Sequence, residues 1–329
     1  MALGALLGAL TCSVQPLAAQ EPGAEVLWRQ VFKRPDAPPA PPDNLLTPEK
    51  IDLGAKLFVD PRLSGAGRHA CASCHQPARA FTDGRRQARA LSGAPLRRNT
   101  PALWNLAWSK QFFWDGRAPS LEAQVRGPIE AADEMNGDWP AILRRLEADA
   151  GLVAHFRLAF PEDPAVSQAT IVKALASYVR SLVSPPTQFD AWIDGDANAL
   201  GAAEVRGFRL FTGKAGCMLC HVGWRFTDDR FHDIGLPGKD PGRSAVPDGT
   251  PGRMAFKTPS LRELERTAPY MHDGSLPTLT AVLRHYTGGF VRRPTLATTM
   301  NRHLRLNARE KADLIAFLRT LSSAKAAPR

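Results

Sequence analysis

The sequence predicts a mainly α fold built as two tandem domains of one design. Apolar residues recur at helical spacing, sustained strand alternation is absent, and the second half of the chain repeats the first. Leu175 to Ser184 (LASYVRSLVS) answers to Leu314 to Ser323 (LIAFLRTLSS), and Leu53-Gly54-Ala55-Lys56-Leu57-Phe58 to Arg206-Gly207-Phe208-Arg209-Leu210-Phe211. Ala80 to Gly84 (AFTDG) answers to Arg225 to Asp229 (RFTDD). A longer block aligns Asn99–Ile129 with Lys257–Thr287 without a gap, setting Thr100-Pro101 against Thr258-Pro259 and Asp115-Gly116 against Asp273-Gly274. With 329 residues the chain is long enough for two domains with their own cores. The division falls near Asp194 to Gly201, giving domains at 47–196 and 197–329.

Each half carries one Cys-x-x-Cys-His signature, Cys71-Ala72-Ser73-Cys74-His75 and Cys217-Met218-Leu219-Cys220-His221. This is the attachment pattern of c-type haem. A single turn presents two thiols, which add across the porphyrin vinyl groups, and an imidazole, which takes the iron. Paired Cys-x-x-Cys motifs also build zinc sites, but those hold their pairs closer together and have no use for a His after each. Two covalently bound haem c groups are therefore expected, held by Cys71, Cys74 and His75 and by Cys217, Cys220 and His221. The two domains are then cytochrome c-like.

The remaining elements follow in order. Residues 1–19 are apolar and rich in small residues, ending Gln15-Pro16-Leu17-Ala18-Ala19, and read as an export signal too short to span a bilayer. One of the five cysteines, Cys12, lies in it; the other four belong to the haem motifs, so no disulfide is expected. Attachment of c-type haem outside the bacterial cytoplasm agrees with export to the periplasm. Residues 20–46 form a Pro-rich arm, read as extended from Phe32 to Asn44. Thr47-Pro48 then starts a helix. Ser167 to Val183 sets Ile171, Leu175, Val179 and Leu182 on one face, and Asn307 to Glu310 resembles a capping box before Leu314 and Phe317. Gly235 to Gly252 reads as a long loop free to move. The net charge of +10 and pI near 9.7 suit an acidic redox partner. Basic residues are scattered in short clusters such as Arg97-Arg98 without an aromatic-interleaved stripe, which argues for solvated charges and against nucleic-acid binding.

Differences between the halves point to chemistry. In the gap-free block Trp114 answers to His272, and Pro128 to Tyr286. A second axial ligand makes a haem an electron carrier, whereas an open sixth position admits peroxide. Proline has no donor; tyrosine can ligate ferric iron as a phenolate. Tyr286 is thus the candidate ligand of the second iron, with His285, His272, Met271 and, outside the block, Met300 as competitors.

These residues resemble the bacterial dihaem cytochrome c peroxidase family, including its MauG-like branch. The resemblance covers the chain after residue 45 and rests on Asp60-Pro61-Arg62-Leu63-Ser64, both haem motifs, Phe113-Trp114-Asp115-Gly116-Arg117, Gly127-Pro128-Ile129, Glu134-Met135 and Ala268-Pro269-Tyr270-Met271-His272-Asp273-Gly274. It implies a peroxide-reacting N-terminal haem with His75 as proximal ligand, Glu134 as acid–base group and Gln124 beside it. It implies Trp114 as an electron relay between the haems, and a calcium ion held by Asn99, Thr267 and Pro269. Ordinary peroxidases of the family have Met where this chain has Tyr286, and many carry a removable His between the first motif and the Asn-x-Pro turn; none lies between His75 and Asn99 here. Both features resemble the MauG-like branch. That branch passes oxidising equivalents through a surface Trp two residues before the second motif, a position held here by Ala215.

The expected function is a periplasmic dihaem peroxidase or oxidase. It would reduce hydrogen peroxide at the first haem and draw electrons from a partner protein or donor through a Tyr-ligated second haem. The rivals are an ordinary cytochrome c peroxidase fed by a small cytochrome or cupredoxin, and a non-catalytic dihaem electron carrier.

Overall fold

The computed structural model describes residues 22–247, 252–301 and 303–324, so the expected export signal and Cys12 lie outside the described residues. The described chain is helical, with helices α1 (Pro22–Phe32), α2 (Pro48–Phe58), α3 (Cys71–Cys74), α4 (Leu121–Glu130), α5 (Trp139–Glu147), α6 (Ala150–Ala159), α7 (Gln168–Ser181), α8 (Gln188–Ile193), α9 (Ala202–Thr212), α10 (Leu279–Arg284) and α11 (Ala308–Arg319). A two-residue antiparallel ribbon, β1 (Phe231–His232) and β2 (Phe256–Lys257), is the sheet among the described residues.

Local chemistry starts these helices where the sequence indicates. Thr47 caps α2 through the Lys50 N–H, ahead of Pro48 at the first helical position. At α11 the Glu310 N–H donates to Asn307 Oδ1 and the Asn307 N–H to Glu310 Oε2, both at 2.9 Å, which completes the capping box.

The repeat is physical as well as textual. In the first half α2 crosses α7, and in the second α9 crosses α11, with a glycine at each crossing. A Cβ on Gly54 would lie 2.1 Å from the Ala174 carbonyl oxygen and 2.7 Å from Tyr178 Cβ. A Cβ on Gly207 would lie 2.0 Å from the Asp313 carbonyl oxygen and 2.7 Å from Phe317 Cβ. Phe81 and Phe226, Asn105 and Glu263, and Phe113 and Met271 all take positive φ as matched pairs. Such φ values are costly for side chains with a Cβ, so the shared turn geometry is imposed by the common design.

Two apolar clusters form the cores. One gathers Leu53, Leu57, Phe58, Leu121, Ile171 and Leu175; the other gathers Phe208, Phe211, Phe226, Leu314, Phe317 and Leu321. Phe189 and Ile193 of α8 lie in the second cluster, ahead of the division expected near 194–201.

From Lys33 to Pro41 the arm carries no helix, in keeping with an extended stretch, and a helix that the sequence did not announce precedes it. In that helix Trp28, Val31 and Phe32 stand at i, i+3 and i+4, an apolar face that outweighs the prolines further on. Phe32 is fully buried against Phe189, Phe208 and Phe226, with ring centroids 5.1–5.8 Å away. Beyond it Arg34 donates to the Ser184 and Pro185 carbonyls. Asn44, also fully buried, then donates to Glu122 and to the Lys173 carbonyl of the first half. The arm is thus a strap running from the second core to the first.

Candidate redox site

Each Cys-x-x-Cys-His motif folds as one tight turn, α3 in the first half and the 3-10 turn Cys217–Leu219 in the second. The backbone N–H of each His bonds the carbonyl of the first Cys at 2.9 Å, His75 to Cys71 and His221 to Cys217. His75 Nδ1 lies 2.9 Å from the Phe81 carbonyl oxygen, and His221 Nδ1 lies 2.8 Å from that of Phe226. A carbonyl only accepts, so Nδ1 carries the proton and Nε2 keeps its lone pair for a metal. Burial holds both imidazoles below the usual histidine range, which favours the neutral, ligating form.

The thiols fit covalent attachment better than a zinc thiolate. Burial pushes the Cys71 thiol up to about 12 and Cys74 to about 11, and what tells against a shared zinc site is that the two motifs stay apart. Among the described residues no group of metal-ligating atoms unites the two motifs; the cluster that forms is Cys220 with Asp228 and His232. Thr100 Oγ1 and Trp104 Nε1 are buried without a protein partner near the turn that faces His75, which suits a bound group bringing polar substituents of its own.

In the first half, α4 sets Gln124 and Pro128 one turn apart on a single face. Glu134 follows in the turn after α4, half-buried, with its N–H on the Ala131 carbonyl. Burial raises its carboxyl above the usual range, against the pull of Arg117 and with a further push from Asp133. The Cys74 thiol feels the Glu134 charge, so carboxyl and motif are neighbours. Sequence reasoning gave Arg117 no role. Its guanidinium lies 3.6 Å over the Phe113 ring and bonds both Asp115 oxygens at 3.0 and 3.1 Å. Phe113 in turn packs against Gly127 of α4. The signal available for Arg117 was its place in Phe113-Trp114-Asp115-Gly116-Arg117.

Between the motifs, Trp114 Nε1 donates to the Asn99 carbonyl at 2.9 Å. The Trp114 carbonyl accepts from the Lys257 N–H, and the His272 carbonyl from the Asn99 N–H, each at 2.8 Å. Asn99 is thereby tied to the loop that carries Thr267 and Pro269, while its side-chain amide donates to the Arg85 carbonyl at 2.8 Å. Arg98, expected as a solvated charge, is instead an interface residue. It forks onto Asp240 with two 2.9 Å bonds and reaches Asp115 at 2.6 Å.

Around the second motif, Tyr286 lies in the wide turn His285–Gly289 that ends α10. Burial raises its phenol well above the ordinary value, and the Cys217 and Cys220 thiols add to the shift, which sets the side chain against that motif. The competing side chains are differently engaged. His285 Nε2 is 2.8 Å from the Ile234 carbonyl oxygen, and His272 stacks on Phe256 at 3.5 Å between centroids. Met271 sits in a left-handed turn, and Met300 in the 3-10 turn Thr298–Asn301. His232 was not foreseen. It bonds Asp228 at 2.7 Å beside Cys220 and is pushed up to about 10, first by that carboxylate.

Comparison with known proteins identifies the family. Residues 48–198 match the di-haem cytochrome c peroxidase family. The chain is 48% identical over 329 aligned residues to the methylamine utilization protein MauG of Methylorubrum extorquens, covering 98% of this chain and 93% of that protein. It is 32% identical to the cytochrome c551 peroxidase of Nitrosomonas europaea, covering 96% and 88%. Among solved structures, a MauG-like protein associated with microbial copper homeostasis superposes with a TM-score of 0.81 at 34% identity, over 90% of this chain and 97% of that one. With its two haem-binding motifs, its mainly helical fold and these relatives, the chain belongs to the dihaem cytochrome c peroxidase and MauG family and is a dihaem oxidoreductase of the peroxidase type.

Proposed function

We propose that the protein reduces hydrogen peroxide at its first haem and supplies the electrons through a second haem ligated by Tyr286. The observation that carries this reading is the asymmetry of matched positions. On the face of α4, Pro128 offers no donor, while its counterpart Tyr286 lies against Cys217 and Cys220. The bound haems supply the electron chemistry; the chain's residues manage protons, access and position. Glu134 takes a proton from peroxide and returns it to the departing oxygen, a role that suits a carboxyl raised by burial. The Gln124 amide, a turn before Pro128, holds peroxide on that face. Trp114 relays electrons between the halves. Asn99, with the carbonyls of Thr267 and Pro269, holds a calcium ion at the junction.

Tyr286 would hold the second haem as a phenolate, a ligand that favours the higher oxidation states of iron and would suit that haem to keeping an oxidising equivalent. The electrons come from a periplasmic small cytochrome or cupredoxin, or from a protein substrate. No helix among the described residues is long and apolar enough to cross a membrane. Peroxide reduction is also what the names of the peroxidase relatives indicate.

Electron paramagnetic resonance of the as-isolated ferric holoprotein tests the reading, together with a Tyr286→Phe variant. A high-spin first haem and a low-spin second haem are expected, with the second converting on substitution. Two low-spin haems would indicate a non-catalytic carrier, and a second haem unchanged by Tyr286→Phe would remove the tyrosine ligand.

A further inference from the structure

A loop of the second half reaches both candidate distal faces. Asp233 anchors its start, bonding Arg293, Thr295 Oγ1 and the Gly235 N–H. The next carbonyl, that of Ile234, holds His285 beside Tyr286. A few residues on, Asp240 forks onto Arg98, and Arg243 then enters the first half, where its Nη1 donates to the Asp115 and Gly116 carbonyls at 2.9 and 3.0 Å. These bonds hold the loop through Arg243, where the sequence suggested a free one.

The bonds from Asp240 continue inward. Arg98 passes from Asp240 to the buried Asp115 carboxylate, whose oxygens also hold Arg117. Arg117 covers the Phe113 ring, and that ring fills the space beside Gly127 next to Pro128. Two guanidinium groups share Asp115, and a second carboxylate bonded to Arg98 steadies that sharing and with it the place of Arg117. Asp240 provides that carboxylate: one anion from the second half helps Asp115 serve both arginines.

We propose that Asp240 is a positioning residue for the first site. Acting through Arg98 and Asp115, it fixes Arg117 and Phe113 as the wall over the haem held by Cys71, Cys74 and His75. The proposal rests on the reading of that haem as the open one. Arg117 then presents a fixed positive charge to anionic ligands, and its placement depends on a residue of the other half.

The experiment is cyanide binding to the ferric holoprotein, followed by absorption and paramagnetic resonance, for wild type and for Asp240→Asn, Arg98→Lys and Arg117→Lys, each with a urea denaturation curve. A wall of misplaced charge is expected to weaken cyanide binding on the order of tenfold. The first-haem signal should shift while that of the second haem stays as in wild type. Combining Asp240→Asn with Arg98→Lys should cost no more than either alone, since both cut the same chain. Arg117→Lys leaves the link between the halves intact, so its equal effect on cyanide is the check if Asp240→Asn fails to fold. Wild-type cyanide affinity in folded Asp240→Asn, or in Arg117→Lys, would overturn the proposal. A wild-type protein that binds no cyanide would overturn the open-haem reading instead, and shows itself before any substitution is made.

Discussion

Trp114 and His272, which occupy the same place in the two repeats, meet edge to face with ring centroids 6.5 Å apart. Their backbones are bonded reciprocally to the opposite half, Lys257 N–H to the Trp114 carbonyl and Asn99 N–H to the His272 carbonyl. Lys257 and Asn99 are themselves repeat partners, so a local two-fold axis passes between the rings. The symmetry ends at the side chains: one position holds an oxidisable indole, the other an imidazole that burial lowers to about 4 and keeps neutral.

That difference predicts unequal substitutions. Trp114→Phe keeps an aromatic ring but strands the Asn99 carbonyl, at a cost of about 1–2 kcal/mol. It should also slow the passage of electrons from second to first haem in a stopped-flow mixing experiment. His272→Phe keeps the stack on Phe256 and should leave that rate near wild type. Equal slowing by both would remove Trp114 from the relay.

Gly207→Ala sets helix propensity against packing. In an exposed helix the change would stabilise by about 1 kcal/mol. Here the new methyl would sit 2.0 Å from the Asp313 carbonyl oxygen, so α9 and α11 must separate. Overpacking of this kind costs about 1–3 kcal/mol, and a net loss in urea denaturation is the expected result. Gly54→Ala should behave alike at the crossing of α2 and α7.

The two glycines mark how much the sequence disclosed. Matching text predicted matching domains, and both crossings and left-handed turns fall where the alignment puts them. The turn chemistry of both motifs was equally legible because it is local. What escaped was long-range pairing. Arg98 reads as a surface charge until Asp240 comes to meet it, and nothing in the Gly/Pro-rich stretch signals that Asp240 or Arg243 crosses to the other half. Trp28, Val31 and Phe32 form too short an apolar face to reveal that α1 docks on a core built mostly from residues beyond 188.

Glu134 should leave a trace in the pH dependence of both activity and stability. Burial, opposed by Arg117, raises its folded pKa above the unfolded value near 4.5. The folded state therefore favours the protonated carboxyl, and stability declines as pH rises through the raised pKa. Glu134→Gln removes that penalty, so the variant should gain stability over wild type at neutral pH and lose the advantage below pH 4.5, where both forms carry a neutral side chain. Its rate with peroxide should fall on the order of a hundredfold or more and lose the pH dependence due to this group. A variant with the wild-type rate and pH profile would assign the acid–base role elsewhere.

Asp190 joins the strap to the second half. Its carboxylate accepts from Arg262 at 2.7 and 2.9 Å and from Arg34 at 3.3 Å. The Arg262 side chain is fully buried, and burial draws its pKa down despite the partner, so a charge is being held there at a cost. Burial works against ionisation of Asp190 too, yet the two arginines and the Thr187 N–H keep its pKa below the ordinary 3.8. Its contribution is thus present above that pH and lost as acid protonates it in the folded state. Asp190→Asn strands the buried guanidinium and should cost about 3–5 kcal/mol at neutral pH. Arg34→Met removes the more exposed partner and should cost about 1 kcal/mol. The stability curves of Asp190→Asn and wild type should converge in acid, once both carry a neutral side chain at 190. If Arg34→Met proves the costlier of the two at neutral pH, the strap, rather than the buried Arg262 pair, is what Asp190 chiefly secures.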